Sequence, residues 1–122
     1  MKIKESAENY LETIYILNKR NGYVRGIDIA HELSYSKPSV SVAMKKFRED
    51  GYVNVDESGN ISLTEKGEKI AVLMYDRHHT IAKVLMSLGV DEQTAYEDSC
   101  RIEHHISEIS FEKIKEYAEK LK

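Results

Sequence analysis

The order of the helical patterns in the first half of the chain is the sequence feature that most constrains the fold. Apolar residues recur with a helical period in three consecutive segments, which cover residues 6–19, 26–33 and 38–49. Asn21-Gly22 ends the first segment, and residues 34–36 leave room only for a tight connection between the second and the third. Three helices with such a connection before the last one are typical of a helix-turn-helix.

A two-stranded hairpin is predicted directly after the third helix. Residues 52–56 and 60–63 alternate between apolar and polar side chains on either side of Glu57-Ser58-Gly59. A hairpin in this place would be the wing of a winged helix-turn-helix. We therefore expect a DNA-binding domain over residues 1–63.

Three further helices are predicted in the second half of the chain, at residues 64–88, 91–106 and 111–121. Ser110 precedes the last of them as its expected N-cap. The fold class is therefore mainly α with a small β-hairpin. An α-helical domain over residues 64–122 follows the winged helix-turn-helix.

The third helix is predicted to carry a basic outer face, although the chain has a net charge of −3. Its apolar positions Val40, Met44 and Phe47 define the side that is buried. Between Arg25 and Arg48 the chain has five basic side chains and two acidic ones, so the positive excess is local. Short hydroxyls can reach base edges, and lysines can bind phosphates. The residues predicted to contact DNA are Arg25, Ser36, Lys37, Pro38, Ser39, Ser41, Val42, Lys45 and Lys46.

Cys100, Glu103 and His104 form a second candidate site. They stand at i, i+3 and i+4 of a predicted helix, so their side chains share one face and can converge on a point. A thiolate, a carboxylate and an imidazole suit a transition metal, and His78 and Glu12 are available on two other predicted helices. The alternative is that Cys100 is a small core residue and that the other two side chains form a solvated face.

The composition excludes several classes of protein. The single Cys rules out an intramolecular disulfide and suits a reducing cytoplasm. The sequence begins without a signal-peptide pattern, and its longest apolar stretch, Ile70 to Tyr75, is far too short to cross a bilayer. An enzyme is a poor fit because the sequence lacks an oxyanion-hole element, a phosphate loop and a His-Glu-x-x-His helix. We therefore expect a cytoplasmic protein that is not an enzyme and has neither a membrane nor a protein substrate as its partner.

Several motifs together resemble the diphtheria toxin repressor and manganese transport regulator (DtxR/MntR) family of metal-dependent repressors. The resemblance covers essentially the whole chain, and its most specific motif is Cys100-Arg-Ile-Glu-His104, with Arg77-His78 about two dozen residues earlier. It implies a winged helix-turn-helix followed by a metal-binding and dimerisation domain, in a short form without an SH3-like domain. It also implies a repressor that binds operator DNA as a homodimer. Weaker matches lie at residues 9–15, 28–30, 36–41 and 63–67.

The resemblance also implies the metal ligands, which are Asn9, Glu12, His78, Cys100, Glu103 and His104. Glu12 is a feature of the family's manganese branch and Cys100 of its iron branch, so the site is a hybrid. Ala82 and Tyr96 fall where the iron branch has additional ligands and cannot serve as such, so we expect one good site. A metal that joins the first helix to the later ones would fix the orientation of the two halves.

The ligand chemistry ranks the candidate metals. A thiolate favours Fe(II), Co(II) and Zn(II) over Mn(II). The oxygen ligands expected from Glu12 and Glu103 suit a five- or six-coordinate ion better than a closed tetrahedral zinc site. We therefore expect Fe(II) first and Mn(II) second, while Co(II), Ni(II) and Zn(II) can bind in vitro.

The last two predicted helices carry more apolar positions than one small layer needs to bury. We interpret this surplus as a homodimer interface formed by the C-terminal helices. The alternative function is a winged-helix regulator that does not sense metal, with Cys100 in the core. The apolar positions in question are Ile102, Ile106, Ile109, Phe111, Ile114, Tyr117 and Leu121.

Overall fold

The computed structural model describes residues 5–121 and confirms a mainly α protein with a small β-hairpin. Contacts divide the chain into two compact units, Met1–Val72 and Leu73–Lys122. No helix in the described part is long and apolar enough to span a bilayer. The elements in chain order are α1 (Glu5–Asn21), α2 (Gly26–Leu33), α3 (Lys37–Glu49), β1 (Val53–Val55), β2 (Ile61–Leu63), α4 (Glu65–Ser87), α5 (Glu92–Glu103) and α6 (Glu108–Glu119).

In the first unit, α1, α2, α3 and the hairpin share one apolar core. Leu11 and Ile14 of α1 and Val40 of α3 are buried there, as the helical spacing predicts. The helical spacing of Ile27, Ala30 and Leu33 predicts that all three face inward in α2, and this is wrong for Ile27, which is 54% exposed, whereas Ile29 is fully buried. In so short a helix, an apolar stripe can be drawn through either isoleucine. Packing against the neighbouring helices decides which of the two faces inward.

The connection between α2 and α3 is as tight as predicted. Ser34 takes a left-handed conformation with φ of 58°, which ends α2, and the amide of Tyr35 then donates to the carbonyl of Ala30 at 3.0 Å. Ser36 is the N-cap of α3, because its hydroxyl oxygen accepts a hydrogen bond from the amide of Ser39 at 3.3 Å. These local bonds fix where α3 begins and which face it exposes.

The hairpin is antiparallel and is fixed to the segment before α2. Val53 pairs with Leu63 across the two strands. The amide of Val24 donates to Oδ1 of Asn60 at 3.0 Å, and the carbonyl of Val24 accepts from the amide of Ile61 at 2.7 Å. These two hydrogen bonds therefore attach the hairpin to the segment before α2, in addition to its covalent connection to α3.

Gly67, in the first turn of α4, packs directly against the hairpin. A Cβ atom at this position would collide with the backbone carbonyl of Tyr52. The hydroxyl oxygen of Thr64 accepts from the amide of Gly67 at 3.1 Å and donates to the carbonyl of Gly51 at 2.7 Å. The chain thus requires a small residue, Gly67, and a capping hydroxyl, that of Thr64, where it leaves the wing. This requirement explains the motif at residues 63–67 in physical terms.

In the second unit, two helix boundaries differ from the prediction. α6 begins at Glu108, and its N-cap is Ser107, whose hydroxyl oxygen accepts from the amide of Ser110 at 3.1 Å. Ser110 was therefore wrongly predicted as the cap; because Ile109 in the first turn is 74% exposed, the apolar period gave no sign of the earlier start. α5 ends at Glu103 instead of continuing to residue 106.

Candidate metal centre

Glu103, the last residue of α5, has a fully buried side chain with two imidazoles beside it. Its Oε2 atom lies 2.9 Å from Nδ1 of His78 on α4. Its Oε1 atom lies 3.3 Å from Nε2 of His104, the residue that caps the C-terminus of α5. Burial of a carboxylate is unfavourable unless charged or hydrogen-bonding groups compensate it, and here each oxygen has an imidazole nitrogen beside it.

Cys100, one turn before Glu103 on α5, extends this pair of contacts to a group of three donors. A ring nitrogen of His78, Sγ of Cys100 and a carboxylate oxygen of Glu103 all lie within 4.8 Å of one another. The thiol is half-buried, and an imidazole and a carboxylate are among its neighbours. Nitrogen, sulfur and oxygen donors at this spacing fit a transition metal ion.

The six predicted ligands are distributed over both units. His78, Cys100, Glu103 and His104 belong to the second unit, and Asn9 and Glu12 to α1 in the first. The donors of Cys100 and Glu103 group with that of His78, whereas His104 contacts the other carboxylate oxygen of Glu103. Because α5 stops at Glu103, His104 is its C-cap, with αR backbone angles, and not a residue within the helix as predicted.

Tyr96 and His79 cover one side of His78, an arrangement that the sequence did not reveal. The ring of Tyr96 lies 5.3 Å from the ring of His78, and its hydroxyl lies 3.2 Å from Nδ1 of His79. Burial and then the neighbouring His78 lower the pKa of His79, although Asp76 opposes this in part. Tyr96 lies on α5 and both histidines on α4, so the contact depends on how the two helices pack.

In the first unit, α3 exposes the surface that the sequence predicts for DNA binding. Its predicted outward residues (Lys37, Ser39, Ser41, Val42, Lys45 and Lys46) are all exposed. The hydroxyl of Ser36 donates to Oγ of Ser39 at 2.8 Å, which leaves the proton of Ser39 available for a base edge or a phosphate. Arg48, which was not predicted, lines a groove between α3 and the hairpin together with Lys45. Its only sequence signal was its place in the basic window.

In comparisons with known proteins, the first part of the chain matches a DNA-binding domain and the second part a metal-binding domain. A model of the iron dependent repressor N-terminal DNA binding domain matches residues 2–60, and a model of the iron dependent repressor metal binding and dimerisation domain matches residues 64–122. The regulator MntR of Lysinibacillus sphaericus is 38% identical over 109 residues, which are 89% of this chain and 78% of that protein. An uncharacterized HTH-type transcriptional regulator of Methanocaldococcus jannaschii is 38% identical over 122 residues, with 98% of each chain covered.

A solved structure of the manganese regulator SloR superposes on this fold with a TM-score of 0.81 and 29% identity, covering 100% of this chain and 56% of that one. This chain thus spans little more than half the length of the SloR chain. The chain belongs to the DtxR/MntR family of metal-dependent transcriptional repressors, as the motifs indicated. Its relatives are transcriptional regulators and not enzymes.

The geometry makes Glu103 the residue whose replacement should affect metal binding most selectively. In Glu103→Gln the side-chain volume is kept while the buried charge is removed. We expect the affinity for Co(II) or Mn(II) to fall by about tenfold or more, whereas the thermal stability without metal is retained or increased. Calorimetric metal titration and thermal unfolding measure the two quantities. Glu97→Gln, an exposed position on the same helix, is the matched control and should change neither. Unaltered metal affinity in Glu103→Gln would contradict the assignment.

Proposed function

We propose that the protein is a repressor that responds to Fe(II), binds operator DNA as a homodimer and controls genes of metal homeostasis. The observation that carries the proposal is the group formed by the buried Glu103 with His78 and Cys100, in a chain whose α3 is exposed and basic. When bound, a divalent cation supplies positive charge that compensates the carboxylate and the thiolate in this group. His78 and Glu103 orient each other through their 2.9 Å contact, so these two donors are largely preorganised.

The ligands that we propose are His78, Cys100, Glu103 and His104, together with Asn9 and Glu12. Contacts within the second unit support the first four. Asn9 and Glu12 are supported by the family resemblance, and Glu12 adds a second carboxylate to the set. Because thiol and imidazole ligands must lose their protons before they bind, metal affinity should weaken as the pH falls.

The mixed donor set supports Fe(II) as the first candidate for the metal. The thiolate of Cys100 favours Fe(II) over Mn(II), and the carboxylates suit an ion with more than four ligands. Mn(II) is the second candidate, because a structural relative is described as a manganese regulator and because Glu12 is a hard ligand. Cys100 is therefore the residue on which the choice between the two metals depends.

Metal control of DNA binding requires a difference in metal affinity between conformations. The cation must bind more tightly to the conformation that binds DNA, and DNA must then raise the affinity for the cation by the same factor. A coupling of about 1–3 kcal/mol, typical of allosteric proteins, corresponds to a change of about 5- to 150-fold in DNA affinity. A winged-helix regulator that does not sense metal would have no such coupling.

We propose that the homodimer forms through exposed apolar side chains of the second unit. Ile109 is 74% exposed and Tyr117 is 50% exposed, and both lie on α6, while Ile102 on α5 is partly exposed as well. Phe111, by contrast, is buried within its own chain and is not available to a partner. A two-fold dimer would present two copies of α3 to half-sites about one turn of DNA apart, so the operator should be pseudo-palindromic.

The proposed DNA surface comprises Arg25, residues 36–39, Ser41, Val42, Lys45 and Lys46. In this surface Lys45 and Lys46 bind phosphates, whereas Ser39 and Val42 lie near the exposed N-terminal half of α3 and contact base edges. Val42 can offer only an apolar contact, for instance to a thymine methyl group. Shape readout should therefore contribute to operator choice as well.

Lys45→Ala and Lys46→Ala should each weaken binding to every duplex. Each variant loses one phosphate contact, so its binding releases one counterion fewer. The slope of log K against log salt should flatten by up to about one unit for each change. Lys69→Ala is the matched control: Lys46 pairs with Asp50 at 3.6 Å and Lys69 with Glu65 at 3.8 Å, both four residues apart in a helix. Binding is measured over a range of salt concentrations on a duplex selected from a random pool. An unchanged slope in both variants would mean that α3 is not the DNA-contacting helix.

Cys100→Glu should shift activation of DNA binding toward Mn(II) and away from Fe(II), because a hard oxygen donor replaces a soft sulfur donor at the same position. The measurement is DNA binding as a function of each metal under anaerobic conditions, alongside unfolding without metal. Cys100→Ser, which removes the thiolate without adding a carboxylate, should weaken both metals and serves as the control. Loss of folding together with an unchanged metal preference would mean that Cys100 has only a packing role.

A further inference from the structure

Arg77 makes a set of contacts that the proposed ligand set leaves unexplained. One of its guanidinium nitrogens, Nη1, donates to the carbonyl of Glu103 at 3.2 Å and to the carbonyl of Ile106 at 3.3 Å. The guanidinium also lies over the ring of Phe111, 5.3 Å from its centroid. The last carbonyls of a helix have no partners within the helix, and Arg77 satisfies one of them at the residue where α5 ends.

The place of Arg77 on α4 connects these contacts to the metal centre. It directly precedes His78, whose ring contacts the carboxylate of the same Glu103. Two consecutive residues of α4 therefore contact Glu103 of α5. Arg77 binds the main-chain carbonyl of Glu103, and His78 contacts its carboxylate. The positive charge of Arg77 also lies at the negative end of the α5 dipole, which favours this arrangement.

We propose that Arg77 is a positioning residue for the metal centre, which fixes the C-terminal end of α5 so that Glu103 faces both His78 and His104. The proposal rests on the metal centre described above. Both carboxylate contacts, at 2.9 and 3.3 Å, depend on where the main chain of Glu103 lies. Metal centres tolerate displacements of only about 0.5 Å, so a looser end of α5 should weaken binding while all the ligands remain present.

The chemistry of arginine suits this role better than that of lysine. A planar guanidinium can donate to two carbonyl oxygens while its face lies on an aromatic ring, whereas an ammonium group is a compact and strongly hydrated charge. The Nε atom of Arg77 is buried and has no hydrogen-bond partner among the described residues. Desolvation of that N–H is unfavourable, and the contacts made by the rest of the guanidinium compensate it.

The test compares Arg77→Met and Arg77→Lys with the wild type, using Co(II) as the probe metal. The affinity for Co(II) and the sulfur-to-cobalt charge-transfer absorption report the geometry of the centre, and thermal unfolding without metal reports stability. We expect Arg77→Met to lower the affinity by about 10- to 100-fold and to alter the absorption spectrum. Arg77→Lys keeps the charge but not the planar geometry, so it should recover part of the loss.

Lys115→Met is the matched control. It removes an ion pair of 3.0 Å between α6 and Asp76, the residue before Arg77, and should leave the affinity and the spectrum unchanged. Wild-type affinity and spectrum in Arg77→Met, with only the unfolding temperature reduced, would overturn the proposal. If Arg77→Met does not fold, the same result in Arg77→Lys overturns it. Absence of Co(II) binding by the wild type would refute the metal centre itself, and the positioning role with it.

Discussion

The contact between the buried carboxylate of Glu103 and its two imidazoles is the interaction on which the geometry of the candidate metal centre depends. Burial of a carboxylate is unfavourable without compensating groups, and close to Glu103 lie His78 of α4, at 2.9 Å, and His104 at the end of α5, at 3.3 Å. The same arrangement supports the cation site that we propose, because imidazole nitrogens and a carboxylate that are already brought together need little further ordering.

The first unit follows from ordinary packing and capping. Val40 and Phe47 anchor α3 to the core, and the N-cap Ser36 fixes its start, so the lysines of α3 remain on the surface. The wing is held to the helix-turn-helix by the two hydrogen bonds of Val24 and by the close approach of Gly67 to Tyr52. The hairpin and α3 are therefore both held to the apolar core of the first unit.

The sequence predicted the fold well because its elements are punctuated by strong local signals. The order of the elements, the tight turn at residues 34–36 and the inward face of α3 all followed from periodicity and from turn residues. The predictions failed where several residues satisfied the same local rule. Ser107 and Ser110 can both cap a helix, and Ile27 and Ile29 can both face a core, so tertiary packing decides between them.

The candidate site was predictable in part. The spacing of Cys100 and Glu103 brought these two residues together on α5, whereas their contact with His78 depends on the packing of two helices far apart in the sequence. The contacts of Arg77 and Tyr96 could not be derived from spacing, because their partners are main-chain carbonyls and a side chain on another helix. Periodicity within a helix reveals which residues share a face, and it carries no information about what that face contacts.

The most direct test of the account is the affinity of the wild-type protein for a selected pseudo-palindromic duplex, measured anaerobically with Fe(II) and again with a chelator. The account predicts that Fe(II) tightens binding by about tenfold or more, within the usual range of allosteric coupling. Equal affinity with Fe(II), with Mn(II) and with chelator would contradict the account, because a group centred on Glu103 would then have no influence on DNA binding.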